Sequence, residues 1–467
     1  MQVESPSASS IPAGTIVILG ALCFGAFRQG AYHEWQLQVF VAVVGLGAVM
    51  LAFVSHARAK VPAAALFVAP LFASSALSTY LSLDRSDARS TFLLIGLTAI
   101  ALVAGWSVPR DAFATAQTAL IGIACLVAFT AIWGVAAHST PWGRVTEGVW
   151  RGSSSLTYSN AAAGLLGPAI ALTFSRAAIR ESRGDAIAAV LLAVGFASTQ
   201  SRGGALAFLL VTPVILFRLG WRRSFTTGVP VAVGVAIGTP LLIMRSPTTA
   251  EPTPILVSAL VLLGVGVTGA LWSQRERLAR PLPVAIAACA GLIVAAATPL
   301  RDAALSRFTL RSGTTAGGED AAVLFGDRAK EWAVAMDRIS ERPLVGHGPG
   351  VVDLSWVENG RGFRAYYVHN EFLELAVTNG VIGVLALCIA YLAFRRHYEV
   401  AEETRPLLWA MAIYLLHSAF DFLWHLPALP VFFALLAGLA LSRSASEPSI
   451  PALVHAPTEA PVFEAAS

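Results

Sequence analysis

Long apolar runs separated by short polar breaks make up most of this chain. Runs of spanning length fall near 11–27, 37–56, 62–81, 91–107, 115–137, 160–178, 185–199, 204–218, 225–243, 253–272, 281–299, 370–394, 404–422 and 425–441. An α-helix needs about 20 mostly apolar residues to cross a bilayer, so the pattern predicts an all-α fold, a polytopic transmembrane helix bundle of about fourteen spans. The seventh and eighth runs nearly touch through the polar linker Thr199-Gln200-Ser201-Arg202-Gly203. No repeat at a fixed period interrupts the pattern, which excludes a solenoid. The tail after Leu441 is rich in Pro, Ala, Ser and Glu and has no apolar face that could offset its ordering, so disorder is expected there. The expected organisation is an N-terminal tail over 1–10, helices one to eleven over 11–299, one long extracytoplasmic loop over 300–368 carrying an amphipathic helix, helices twelve to fourteen over 369–441, and a C-terminal tail over 442–467.

Basic residues give this pattern an orientation, because Arg and Lys in short loops resist translocation. One alternate set of loops holds Arg58, Lys60, Arg110, Arg176, Arg180, Arg183, Arg218, Arg222, Arg223, Arg275, Arg277, Arg280, Arg395, Arg396, Arg405 and Arg443. The other short loops hold only Arg28, Arg85, Arg89, Arg144, Arg151, Arg202 and Arg245. The richer set is assigned to the cytoplasm. Both termini are then cytoplasmic, and the long loop faces outward from the cytoplasmic (inner) membrane.

Composition agrees with a membrane chain. Only 13% of residues are charged, against the ~25% usual in soluble domains, and the mean hydropathy is +0.68. The net charge of +4 is scattered in short clusters between apolar runs, a topological pattern that excludes nucleic-acid binding. Cys23, Cys125, Cys289 and Cys388 all lie inside apolar runs, with no CxxC pair, and read as small core residues. The first run has no Arg or Lys before it, so it lacks the basic start of a secretory signal and is expected to stay as a helix.

Charge within a bilayer is costly and marks function. Here the ionisable groups crowd the outer ends of the spans: Arg202, then Glu371 and Glu374, then His417, Asp421 and His425. None is clearly placed at the midplane, where an ion-coupled transporter would need it. In the long loop, Gly326 to Glu341 reads as an amphipathic helix, with Asp327 at its start and Trp332, Met336 and Ile339 on one stripe. Arg328 falls on that stripe. It could hold an anion together with the free amides of the first turn, or snorkel over the loop's own core. The following Arg342-Pro343-Leu344-Val345-Gly346-His347-Gly348-Pro349-Gly350 must turn, and could form a phosphate-binding nest. The loop closes on Tyr366-Tyr367-Val368-His369-Asn370-Glu371 at the membrane boundary, where His369 is either a belt residue or a catalyst.

Taken in order, these pieces resemble the O-antigen ligase and polymerase superfamily of bacterial membrane glycan transferases, over roughly residues 140 to 435. The resemblance rests on Arg151-Gly152 with Tyr158-Ser159-Asn160, Ser201-Arg202-Gly203-Gly204, Arg328-Ala329-Lys330-Glu331-Trp332 with Pro343 to Gly348, and His369-Asn370 followed after ten residues by Gly380. Ser159 stands where the family commonly shows Pro, and Asn160 is given no role on that ground.

The resemblance implies a C-type, multi-span glycosyltransferase that moves a glycan from a polyprenyl diphosphate carrier to an acceptor hydroxyl outside the cytoplasm. Arg202 and Arg328 would clamp the diphosphate, since the guanidinium fork pairs bidentately with phosphate oxygens. His369 would orient or deprotonate the acceptor. Arg151, Asn370, Asp421 and His425 would line the substrate site. No outer loop carries an Asp-x-Asp pair, and Glu319-Asp320 precedes no metal-ligand spacing, so metal-independent, cofactor-free transfer is expected. The partners implied are a polyprenyl diphosphate-linked glycan donor, an acceptor that is a glycolipid (lipid A core), another glycan or a protein, and membrane lipids. Within the family a polymerase of lipid-linked repeat units is the alternative. From another class, a transporter of lipid-linked glycans would share the span count and outer arginines, but it is disfavoured by the bare midplane.

Overall fold

The computed structural model describes residues 10–82, 88–146, 148–278, 328–350, 352, 354–358 and 361–443. The eleventh apolar run, Asp327, Glu319-Asp320 and the tails at 1–9 and 444–467 lie outside these residues. In chain order the described helices are α1 (Ala13–Phe27), α2 (Glu34–Ala52), α3 (Ser55–Leu81), α4 (Ala88–Trp106), α5 (Phe113–Ala136), α6 (Ser159–Arg180), α7 (Arg183–Thr199), α8 (Arg202–Leu219), α9 (Trp221–Gly238), α10 (Pro240–Met244), α11 (Pro254–Trp272), α12 (Arg275–Leu278), α13 (Arg328–Glu341), α14 (Glu371–His397), α15 (Arg405–Ser418) and α16 (Ala428–Ser442). Every apolar run except the eleventh is occupied by one of them. The fold is an all-α polytopic bundle, with nine helices among the described residues long and apolar enough to cross a membrane.

Two antiparallel hairpins depart from the expected pattern. β1 (Gly143–Thr146) pairs with β2 (Val149–Gly152), and β3 (Leu354–Glu358) pairs with β4 (Arg361–Ala365) inside the long loop. Each is a pair of strands of four or five residues, below the length at which alternation is visible in a sequence dominated by apolar runs. The loop also has a small core of its own, built from Ala335, Val352, Leu354, Val368 and Val377.

Helices that meet in lipid gain little from burying apolar surface, so close packing of small residues has to hold them. α6 begins Ser-Asn-Ala-Ala-Ala-Gly and has 89% of its apolar window buried, at the centre of the bundle. α4 and α16 touch backbone to backbone where Gly105 meets Leu435 and Gly438.

The two sets of basic loops separate to opposite ends of the bundle. At one end Arg222 pairs with Glu276 at 2.7 Å, Arg275 with Glu181 at 2.5 Å, Arg223 with Glu402, and Arg443 with Glu403. At the other, Gln29, next to Arg28, donates its amide to the Ser155 carbonyl, Arg151 donates to the Thr199 carbonyl, and the Arg245 carbonyl meets the His138 ring. The long loop is at this second end.

A break in α14 joins the loop to the bundle. Gly380 has φ +63 and ψ −163, a conformation essentially confined to glycine. The turn after α13 clasps this break: Val381 and Ile382 donate to the Pro343 and Leu344 carbonyls, and His347 and Gly348 donate to those of Val377 and Thr378. A Cβ on Gly346 (φ +69) would fall on the Thr378 carbonyl, and one on Gly380 would fall on that of Leu344. The amides of the Gly346-His347-Gly348 turn are therefore engaged with backbone. This corrects the nest reading: the turn binds a helix, not an anion. Gly380→Ala should destabilise the protein by on the order of 3 kcal/mol, through glycine-only backbone and collision together. Thermal unfolding of purified protein would show it. Gly266→Ala, where nothing lies within 4 Å, should leave the midpoint unmoved.

Candidate functional site

Buried charge needs paired, hydrogen-bonded partners, and one cluster at the loop end of the bundle supplies them. Asp421, in the turn between α15 and α16, has a side chain 1% exposed. Its carboxylate accepts from Arg328 Nη2 at 3.0 Å, Asn160 Nδ2 at 2.5 Å and the Tyr158 hydroxyl at 2.6 Å. Arg328 also donates Nη1 to the Phe420 carbonyl at 2.6 Å. Asn160 accepts in turn from Arg151 Nη2 at 2.9 Å. Residues from β2, α6, α13 and the α15–α16 turn are thus drawn into one network. Burial and the adjacent Asp421 charge push the Tyr158 hydroxyl well above the usual phenol range, so it stays a donor.

Arg328 is the first residue of α13, and its reach to Asp421 corrects the snorkelling alternative: it crosses to the bundle instead of lying over the loop's own core. The buried side of α13 carries Glu331 and Ala335, with Trp332 and Ile339 packed beside them. Met336 is 56% exposed, which corrects the expected stripe. The helix turns because Glu331 faces α14.

That contact is the second element of the site. Glu331 Oε2 lies 2.7 Å from His369 Nδ1. His369 precedes α14, whose N-cap is Asn370: its side-chain oxygen accepts from the Phe372 and Leu373 amides. Asn370 is therefore tied to setting the start of the helix beside His369, and does not present that oxygen outward. The His369 ring meets Phe422 edge-on, with centroids 5.0 Å apart, and Tyr158 and Tyr367 stack on the same Phe422 at 5.0 and 5.1 Å. The network and the His369–Glu331 pair therefore share one aromatic layer.

Arg202 opens α8 after Gln200 turns the linker in a left-handed conformation and Ser201 caps the helix at Gly204. Its neighbour Gly203 packs against Phe420 and His417, which puts Arg202 at the same end, in an exposed position.

His425 leans against Tyr367, the two rings tilted to each other with centroids 4.3 Å apart. Its Nε2 is 2.5 Å from Glu374 and 3.8 Å from Glu371. Burial alone would depress this imidazole, but the two carboxylates outweigh it and hold the group up at about 9. The native value lies above the ordinary ~6.5, so the stabilisation is complete below that pH and is lost as pH rises through about 9. The unfolding temperature should fall between about pH 7 and pH 10, and His425→Gln should flatten that slope. The three groups have ligand atoms within 4.8 Å of one another and could hold a metal ion. The absence of an Asp-x-Asp pair did not reveal this grouping, because Glu371 and Glu374 lie one helical turn apart at the start of α14.

Sequence reasoning passed over Asn160, Tyr158, Glu331 and Phe422. Asn160 was set aside for the Ser before it, yet it bridges Arg151 and Asp421. Glu331 stood inside a motif already quoted, one helical turn after Arg328 and so on the same side of the helix, which was the available signal.

Fold and site together define a multi-pass membrane protein whose polar chemistry is gathered at one end of a helical bundle. Residues 247–388, about a third of the chain, match the family model described as O-Antigen ligase, which supports membership of the chain in that superfamily. Arg328, Glu331 and His369 lie within the matched segment; Arg151, Asn160, Arg202, Asp421 and His425 lie outside it. No curated protein matches the chain in sequence.

Proposed function

We propose that this protein transfers a glycan from a polyprenyl diphosphate carrier to an acceptor hydroxyl at the extracytoplasmic face of the inner membrane, both termini being cytoplasmic. The observation that carries the reading is the shared aromatic layer: an arginine locked by a buried carboxylate on one side of Phe422, and a histidine paired with a carboxylate on another. Arg328 uses two of the five N–H donors of a guanidinium on Phe420 and Asp421. That fixes the fork before substrate arrives, as electrostatic stabilisation of a leaving group requires. Arg328 and Arg202 neutralise the charge that grows on the diphosphate as the anomeric C–O bond breaks. No metal is called upon.

His369 takes the acceptor proton as the hydroxyl oxygen bonds to the anomeric carbon. Glu331, at its Nδ1, fixes the tautomer that leaves Nε2 as the accepting atom, the arrangement that serves a general base. Asp421 acts through Arg328 and is a positioning residue.

Ligation and polymerisation share this donor chemistry, and we favour ligation on the family model that matches. Turnover of lipid-linked glycan by purified protein tests the reading. Arg328→Lys and Arg202→Lys should each lower it by on the order of tenfold or more, because a point ammonium cannot replace a fork. Arg222→Lys, at the opposite end, is the control. Full turnover in both outer variants at equal protein levels would make these arginines structural.

A further inference from the structure

A cavity of about 510 Å³ opens behind the Tyr367 ring, bounded by α2, α3, α4, α14 and the α15–α16 turn. One part of its wall is polar: the carboxylates of Glu34, Glu371 and Glu374, and the hydroxyls of Ser75, Ser90 and Thr91. Aromatic rings of Tyr32, Tyr367 and Trp424 stand among them, and the two tyrosine hydroxyls meet at 3.1 Å. Another part is apolar, with Leu71, Leu93, Leu94 and Leu97. Among the described residues no Arg or Lys lines it, and the His425 imidazole there is engaged with Glu374.

That lining is selective. Carboxylates accept hydrogen bonds from hydroxyl and ammonium groups but repel phosphate and carboxylate, and the one cationic side chain on the described wall, His425, is already paired with Glu374. Phosphate recognition uses arginine forks, and those of Arg328 and Arg151 are drawn to Phe420, Asp421, Asn160 and Thr199, none of which lines this cavity. Rings beside hydroxyls and carboxylates suit the alternating C–H faces and O–H edges of a sugar, and a wall of leucines suits its lipid chain. The Tyr367 ring on the cavity wall stacks on Phe422, and Phe422 in turn meets the His369 ring edge-on.

We propose that this cavity is the acceptor site, and that the acceptor sugar entering it is neutral or amino-bearing, joined to a lipid, without phosphate or carboxylate on the sugars it encloses. The proposal rests on the transferase reading above. The acceptor reaches His369 round the edge of the Tyr367–Phe422 pair, while the donor diphosphate stays on the arginine side. Donor and acceptor are thus sorted by charge.

The test offers purified full-length protein its own host's lipid-linked donor, with glycolipids extracted from the same membranes and divided on an anion exchanger into unretained and retained pools. Transfer should go to the unretained pool. Thr91→Trp and Leu94→Trp, which fill the cavity from α4 without touching the arginine network or His369, should raise KM for that pool at least tenfold. The slow hydrolysis of donor by water should stay at the wild-type rate. Transfer confined to the retained pool overturns the proposal, as does an unchanged KM in both variants at wild-type hydrolysis. If wild type neither transfers to any pool nor hydrolyses donor, the transferase reading itself fails; donor hydrolysis with no transfer to either pool removes only the acceptor assignment.

Discussion

Replacing His369 by Ala should slow glycan transfer by roughly 10²- to 10⁴-fold, the usual worth of a general base, while leaving donor binding near wild type. The separation follows from the geometry. Arg328 is locked through Asp421 and Phe420, and none of those bonds passes through His369, which is held by Glu331. Transfer and binding of lipid-linked glycan, measured separately in purified His369→Ala, give the answer. An interfacial anchor would instead lower protein levels with normal turnover per molecule. Glu331→Gln separates orientation from mere packing. If Glu331 works by aligning His369, its loss should cost far less in the His369→Ala background than in wild type, the signature of two coupled residues. Equal costs in both backgrounds would reduce the pair to a surface contact.

Asp421→Ala should be the most damaging single change to the architecture of the site. The carboxylate satisfies Arg328, Asn160 and Tyr158 at once, and its removal strands a partly buried guanidinium and two buried donors. Breaking a buried pair by deleting one partner costs on the order of 3 to 5 kcal/mol, enough to unfold a marginal protein. Asp421→Asn keeps the shape and an accepting oxygen, so it should fold. Without the charge that locks Arg328, it should still transfer at least tenfold more slowly, the scale of one misplaced preorganised donor. Unfolding temperature and turnover, read on both variants, separate the two effects. An Asp421→Asn protein with full turnover would leave Asp421 with a purely structural duty.

The bundle was legible in the sequence because lipid imposes a length and a composition on every span, and the basic loops carry a bias that the folded chain resolves into two ends. The site was legible only where a motif advertised it. Arg328 and His369 stood out as charge at the edge of apolar runs, but their partners did not. Asp421 and Asn160 are 261 residues apart in sequence, and no periodicity joins them; only the helix crossings bring α6 beside the α15–α16 turn. Met336 and Ala335 show the same limit on a smaller scale. A stripe of large apolar residues predicts the inward face of α13, but the helix is turned instead by one carboxylate, Glu331, seeking a partner. The hairpins escaped notice because strands of four or five residues leave too short a trace among long apolar runs.

The clasp between Gly346 and Gly380 works like the pivot of a caliper. One arm runs back along the chain from Pro343 to Arg328, the other from Gly380 to His369, and the spread of their tips is the gap in which donor and acceptor must meet. Residues added or lost within either arm change that gap directly. The stretch that carries the β3–β4 hairpin is wedged into this frame, since Val352 and Leu354 pack against Ala335 on one arm and Val377 on the other. A residue lost from that wedge should therefore let the tips drift as surely as one lost from an arm, and a hairpin exchanged between relatives has to carry its inward residues with it.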